Sequence, residues 1–160
     1  DSIWTFSNTP SAKYSSMMRD NFLGFGCSAT TLLRDQFKIN TFSVTEYQKR
    51  IDNNKLPTSL TLHFTKCQRM IYYLFWTAYS TKVNSQEFED FFGVPLKKIY
   101  GFELWIAKKL GFVIEERGIF RMTLKGAFYY HYYENYYTLA YIDKIWGIMR
   151  HEAFPKEIIM

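Results

Sequence analysis

With 160 residues, 48% of them apolar and 20% aromatic, the chain can bury one full hydrophobic core or a core plus an appendage, which excludes disorder. No run approaches 18 consecutive apolar residues, so a membrane-spanning helix is not expected, and Asp1-Ser2-Ile3-Trp4 has neither the basic nor the apolar part of a secretory leader. The net charge of +5 is spread along the chain rather than gathered into the dense stripe of a dedicated nucleic-acid binder. Two distant cysteines, Cys27 and Cys67, are too few for a disulfide scaffold or a self-contained zinc site and indicate a reduced, cytoplasmic setting.

In chain order, Ile3-Trp4-Thr5-Phe6 alternates as a strand and stops at Asn8-Thr9-Pro10. Phe22 to Phe25 reads as a second, buried strand. Thr31 to Leu33 and Phe37 to Phe42, separated by Arg34-Asp35-Gln36, predict a hairpin. Ser43 with Glu46 three residues on is a capping box that opens a helix to about Asn53, and Asn53 to Pro57 closes it. Beyond Pro57 the pattern turns mostly helical. Leu60 to Phe64 is a short extended entry. Thr65 caps a long helix whose Cys67, Met70, Ile71, Leu74, Phe75 and Ala78 form one apolar face. Asn84 or Ser85 caps a short helix that Gly93 stops, and Pro95 opens another that ends at Gly111. Phe112 to Leu124 predicts a β-hairpin turning at Glu116-Arg117-Gly118, and a last helix runs from about Lys125 to Arg150. The expected fold class is therefore α+β: a short strand and hairpin segment, residues 1–57, then a mostly helical, winged-helix-like domain, residues 58–160.

Chemistry concentrates in Gly24-Phe25-Gly26-Cys27-Ser28-Ala29, where two glycines flank an aromatic and small residues follow. The run satisfies the loose G-x-G-x-x-A fingerprint, but the residues after it read as strands, whereas a dinucleotide site needs a helix there. Either these glycines let a backbone pass close to a ligand, or they belong to a glycine-bearing strand with none. For Cys27 the choices are an activated thiolate or a packed, inert thiol, and no histidine lies within thirty residues to favour the first. Cys67 reads as core. Tyr14 and Arg19, with Ser15 and Ser16, could hold carboxylates at a cavity mouth or form a solvated loop. His63, His131 and His151 share no ligand spacing, so no metal site is expected. On the helix after Pro95, Lys97, Lys98, Lys108 and Lys109 sit at the two ends around Phe102, Leu104 and Trp105, with no Arg, Asn or Gln placed to read base edges. Glu103 falls between Ile99 and Ile106 and calls for a cation, Arg69 or Arg121.

The stretch from Tyr14 to Thr30 resembles the late catalytic-domain segment of the radical S-adenosylmethionine enzymes related to oxygen-independent coproporphyrinogen III oxidase. That family carries a Gly-x-Gly-x-x-Ala-x-Ser/Thr run shortly before a helical C-terminal domain. Gln68-Arg69-Met70-Ile71 keeps one arginine of the family's pair. Gly118 to Gly126 looks like its wing strand leading into Leu-Thr-x-x-Gly, here in the order Thr-Leu-Lys-Gly. The resemblance implies that the chain is the C-terminal piece of such a protein. It implies cofactor contact at Gly24, Gly26, Cys27, Ser28 and Ala29, and substrate contact at Tyr14 and Arg19. It also implies a parent that holds S-adenosylmethionine and a [4Fe-4S] cluster and oxidises a tetrapyrrole. The family's cysteine triad is missing, so this piece alone is expected to bind no cofactor, carry no catalytic residue and be inactive. Its expected partners are the parent's catalytic domain and the tetrapyrrole, with no specific nucleic acid and no membrane; unpaired strands offer a route to a homodimer. The alternative reading is a winged-helix transcription regulator.

Overall fold

Local signals set most of the element boundaries. The computed structural model describes residues 21–156. The expected strand Ile3–Phe6 and the candidate contacts Tyr14 and Arg19 lie outside them. Ser43 accepts from the Glu46 N–H and starts α1 (Val44–Asp52), as its capping pattern requires. Thr65 and Gln68 cap each other at the start of α2 (Lys66–Tyr79): Thr65 Oγ1 accepts from Gln68 N, and Gln68 Oε1 from Thr65 N. Asn84 caps α3 (Ser85–Phe92), which Gly93 ends with a left-handed φ of 69°. Pro95 precedes α4 (Leu96–Lys109), and Tyr100 breaks its helical geometry with φ −117° and ψ 24°. The last helix, α5, spans Leu124–His151.

The strands form two antiparallel three-stranded sheets, so the α+β class holds. In the first, β1 (Thr30–Leu33) and β2 (Gln36–Asn40) make the expected hairpin, and β3 (Thr58–His63) pairs with the other side of β2. The extended entry after Pro57 is thus a full sheet member. In the second, β5 (Val113–Glu116) and β6 (Ile119–Met122) turn at Arg117-Gly118, both at positive φ as a tight hairpin needs. A third strand, β4 (Lys82–Asn84), adds to β6. No sequence pattern announced it, because three residues are too few for alternation to register.

Packing groups the chain into two compact units: Asn21–Arg69 together with the residues from Glu134 onward, and Met70–Tyr133. In the first, Ile39 packs with Ile145 and Met149, and Phe37, Phe42 and Leu60 close around them. Trp146 stands edge-on to Phe42 at 5.9 Å, and Ser59 donates to the Ala153 carbonyl at 2.7 Å. Arg69, 4% exposed, donates from Nε to the Arg34 carbonyl. In the second unit Met70, Tyr73, Phe88, Leu96 and Phe120 form the core. Tyr73 is its hub, with Phe88, Phe91 and Phe92 rings at 5.4–6.0 Å. The order in that unit is helix, strand, helix, helix, hairpin.

Three expectations are corrected. Phe22 to Phe25 is no buried strand: only Phe22 bridges, to Leu32, while Leu23 and Phe25 are exposed. Cys67 is exposed, because the buried face of α2 runs through Met70 and Tyr73 and leaves Cys67 and Ile71 outside. Glu103 is exposed to solvent although it lines a cleft with Leu104 and Ala107, so its carboxylate needs no buried cation, and it forms no ion pair among the described residues.

Candidate functional site

The residues singled out between 24 and 29 fall in one loop leading into β1, and the backbone there is tightly fastened. Gly24 N–H donates to Thr31 Oγ1 at 3.0 Å, Gly26 N–H to the Tyr47 hydroxyl at 3.2 Å and Ser28 N–H to the Thr41 carbonyl at 3.0 Å. Asn40 closes the loop from the other side: its side-chain amide donates to the Gly26 carbonyl, and its backbone N–H donates to that of Ala29, each at 3.0 Å. Three alternate N–H groups are thereby spent on the protein. A phosphate cradle needs successive N–H groups free and a helix behind them. Here strand β1 follows.

The two glycines have different causes. A Cβ on Gly24 would sit 2.1 Å from the Thr30 carbonyl oxygen, so the chain itself fills that space. Gly26 has φ 101° with nothing within 4 Å of a Cβ, so its glycine answers to backbone conformation and its surroundings are open. Phe25 projects between them, 85% exposed. Cys27 is half-buried and its carbonyl accepts from the Ser28 hydroxyl at 2.7 Å. Sequence reasoning missed Tyr47 and Asn40, which hold this loop. The Ser43 cap, which places Tyr47 in the first turn of α1, was the available signal.

In the second unit, the α4 lysines do not all face outward. Lys97 and Lys108 Nζ both reach Glu115 on β5, at 2.5 and 2.8 Å, and together they hold its carboxyl below the usual range, Lys108 contributing most. Phe102 and Trp105 stack on each other at 6.1 Å on the exposed face. Behind α4 lies a cleft of about 240 Å³ lined by Leu74, Ala78, Leu104, Ala107, Val113 and Met122 among others. Where β6 meets α5, Thr123 Oγ1 accepts from Gly126 N and donates to the Gly111 carbonyl, and a Cβ on Gly126 would lie 2.0 Å from the Phe112 carbonyl oxygen. That contact explains the glycine in the Thr-Leu-Lys-Gly run. No three His, Cys, Asp or Glu side chains converge as metal ligands among the described residues. His63 and His151 lie in one unit, and His131 packs edge-on against Tyr79 in the other.

These units define an α+β protein with two small antiparallel sheets. Its fold is similar to that of coproporphyrinogen III oxidase from Escherichia coli, a solved structure described as a radical SAM enzyme, at 16% identity and a TM-score of 0.50. The likeness covers 69% of this chain and 26% of that one, so the chain spans about a quarter of that protein, consistent with a C-terminal fragment. No family model and no curated protein sequence matches the chain.

Proposed function

We propose that this chain is the C-terminal part of a radical S-adenosylmethionine protein of the coproporphyrinogen III oxidase type, working on a tetrapyrrole in the cytoplasm. The fold likeness to the Escherichia coli enzyme carries the reading, and the order of motifs from Gly24 to Gly126 agrees with it. Residues 1–57 are then the end of the catalytic domain, and residues 58–160 a winged-helix-like cover over the substrate cavity. The loop from Gly24 to Ala29 lies at the cofactor side of that cavity, with Tyr14 and Arg19 toward the substrate. The α4 face of Phe102 and Trp105 contacts the catalytic domain.

The chain's own residues do not fit the cluster that such a parent needs. An iron–sulfur cluster takes closely spaced thiolates. Cys27 and Cys67 are forty residues apart in sequence, one half-buried and one exposed. The cluster and the bulk of the cofactor site therefore belong to the preceding part of the parent. The test is that upstream sequence together with anaerobic iron–sulfide reconstitution. The full-length protein carries a C-x-x-x-C-x-x-C triad and takes up a stoichiometric cluster, while this chain alone stays colourless and iron-free. A parent without the triad, or a cluster on this chain, overturns the reading.

A further inference from the structure

Between α2, α4 and the second sheet, the Met70–Tyr133 unit keeps an apolar cleft of about 240 Å³. Protein interiors pack so densely that few voids exceed a water molecule, so a space of this size inside one unit needs a cause. Two small residues on its walls supply one: Ala78 on α2 and Ala107 on α4 stand where a larger side chain would fill it. Tyr100 supplies the other. It leaves helical geometry in mid-α4, and its ring stands edge-on to Phe88 of the core at 6.2 Å.

Helix α4 lines the cleft with Leu96, Tyr100, Leu104 and Ala107, at steps of three and four that keep one side of the helix toward it. The stacked Phe102 and Trp105 occupy the other side, so the cleft is separate from the aromatic face assigned above to the catalytic domain. A dry apolar cavity of about 150 Å³ is enough to hold benzene. The larger volume here suits a two-ring aromatic, and Leu104, Val113 and Met122 give it apolar walls.

The charge at the mouth is negative. Glu103 lines the cleft, is exposed and forms no ion pair among the described residues. Lys82 also borders it, but strand alternation separates it from Val83 and sets it with Arg121, its register partner, on the other face of the sheet. Lys97 and Lys108 of α4 are held by Glu115. We propose that this cleft is a binding site for a small aromatic amine. The ring system enters between Ala78 and Ala107, and the ammonium stays in water beside Glu103. Removing the ring from water supplies the binding free energy, and the carboxylate selects the sign of the ligand's charge.

The test is calorimetric titration of the 160-residue chain with three probes that share one ring system: tryptamine, indole and indole-3-acetate. Tryptamine is expected to bind about two- to fivefold more tightly than indole, the range of an exposed ion pair, and indole-3-acetate more weakly than indole. The preference fades as salt rises. Glu103→Gln, an exposed change that leaves the core alone, removes the advantage of tryptamine and leaves indole binding unchanged. Ala107→Leu fills the cleft and abolishes binding of all three. Methyl chemical shifts of Ala78, Ala107 and Met122 in the wild type locate the bound ring without reliance on any variant. Probes that do not bind, or that bind without moving these methyls, overturn the proposal. So does binding that survives in a folded Ala107→Leu variant. A preference for indole-3-acetate would assign the mouth to Lys82 and overturn the amine.

Discussion

At Gly24 and Gly26 one residue type serves two physical demands, and the difference is measurable. Gly24 is fixed by a backbone neighbour, the Thr30 carbonyl, that a methyl group would strike. Relieving that clash means moving a segment tied by the Phe22–Leu32 bridge and the Gly24–Thr31 bond. Gly24→Ala should therefore destabilise the fold by an overpacking cost of about 1–3 kcal/mol. Gly26→Ala meets open space and pays only for its positive φ, about 1–2 kcal/mol. Urea unfolding of both variants checks this. Gly24→Ala should be the more damaging, and a neutral Gly24→Ala would mean that the loop yields where the hydrogen bonds say it does not. A cofactor contact in the parent would show differently at each place. At Gly26 the open side can admit a ligand, so Gly26→Ala can impair the parent beyond its stability cost, whereas the Cβ position of Gly24 is already occupied by the chain.

Among the elements, the clasp between α4 and the hairpin strand β5 is the clearest electrostatic device. Glu115 holds Lys97 and Lys108, and its carboxyl is pulled below its ordinary value by Lys108 first and Lys97 second. A group whose folded pKa lies below its unfolded one stabilises the fold above the unfolded value, and that contribution disappears as pH falls through the folded value. The lysines are half exposed, so screening limits the clasp to no more than about 1 kcal/mol. Thermal melts of the wild type and Glu115→Gln should differ slightly near neutral pH and coincide in acid, with the gap shrinking in high salt. A gap that persists in acid would place the effect in packing rather than charge. The elements also mark what could be read from sequence. Caps and tight turns are local chemistry, so the Ser43, Thr65 and Asn84 starts, the Gly93 stop and the Arg117-Gly118 turn were all legible. Strand pairing is not local. Strand β4 exists because β6 offers it an edge, β3 counts as sheet because β2 lies beside it, and Phe22–Phe25 fails as a strand because only Phe22 finds a partner. The exposure of Cys67 and Glu103 is likewise decided by which side of each helix its neighbours occupy. At the candidate loop the residues could be named from sequence, and the Ser43 cap placed Tyr47 on α1, but only the fold brings Tyr47 and Asn40 to the loop they fasten.

At the scale of the whole molecule, the question is whether a basic chain with helix–strand–helix–helix–hairpin order reads DNA. The +5 net charge gives general attraction to any polyanion, but recognition needs cations free on the face that enters the groove. Of the four α4 lysines, Lys97 and Lys108 are spent on Glu115, and the outward face between Lys98 and Lys109 is filled by the stacked Phe102 and Trp105. Glu116, next to the β5–β6 turn, is exposed and negative. Such a surface suits apolar packing on a protein domain better than a phosphate backbone. Fluorescence anisotropy with duplex DNA at about 150 mM salt should show only weak, sequence-independent binding that falls steeply as salt rises. Glu115→Gln sharpens the test, because it frees two lysines without touching the aromatic face. If electrostatics alone drives the residual binding, that variant binds more tightly at low salt and its salt slope steepens by up to about 0.9 for each lysine that reaches a phosphate. Submicromolar wild-type binding with a clear sequence preference, abolished by Lys97→Glu with Lys98→Glu, would instead make the transcription regulator the better reading and leave the fold likeness to the oxidase without functional weight.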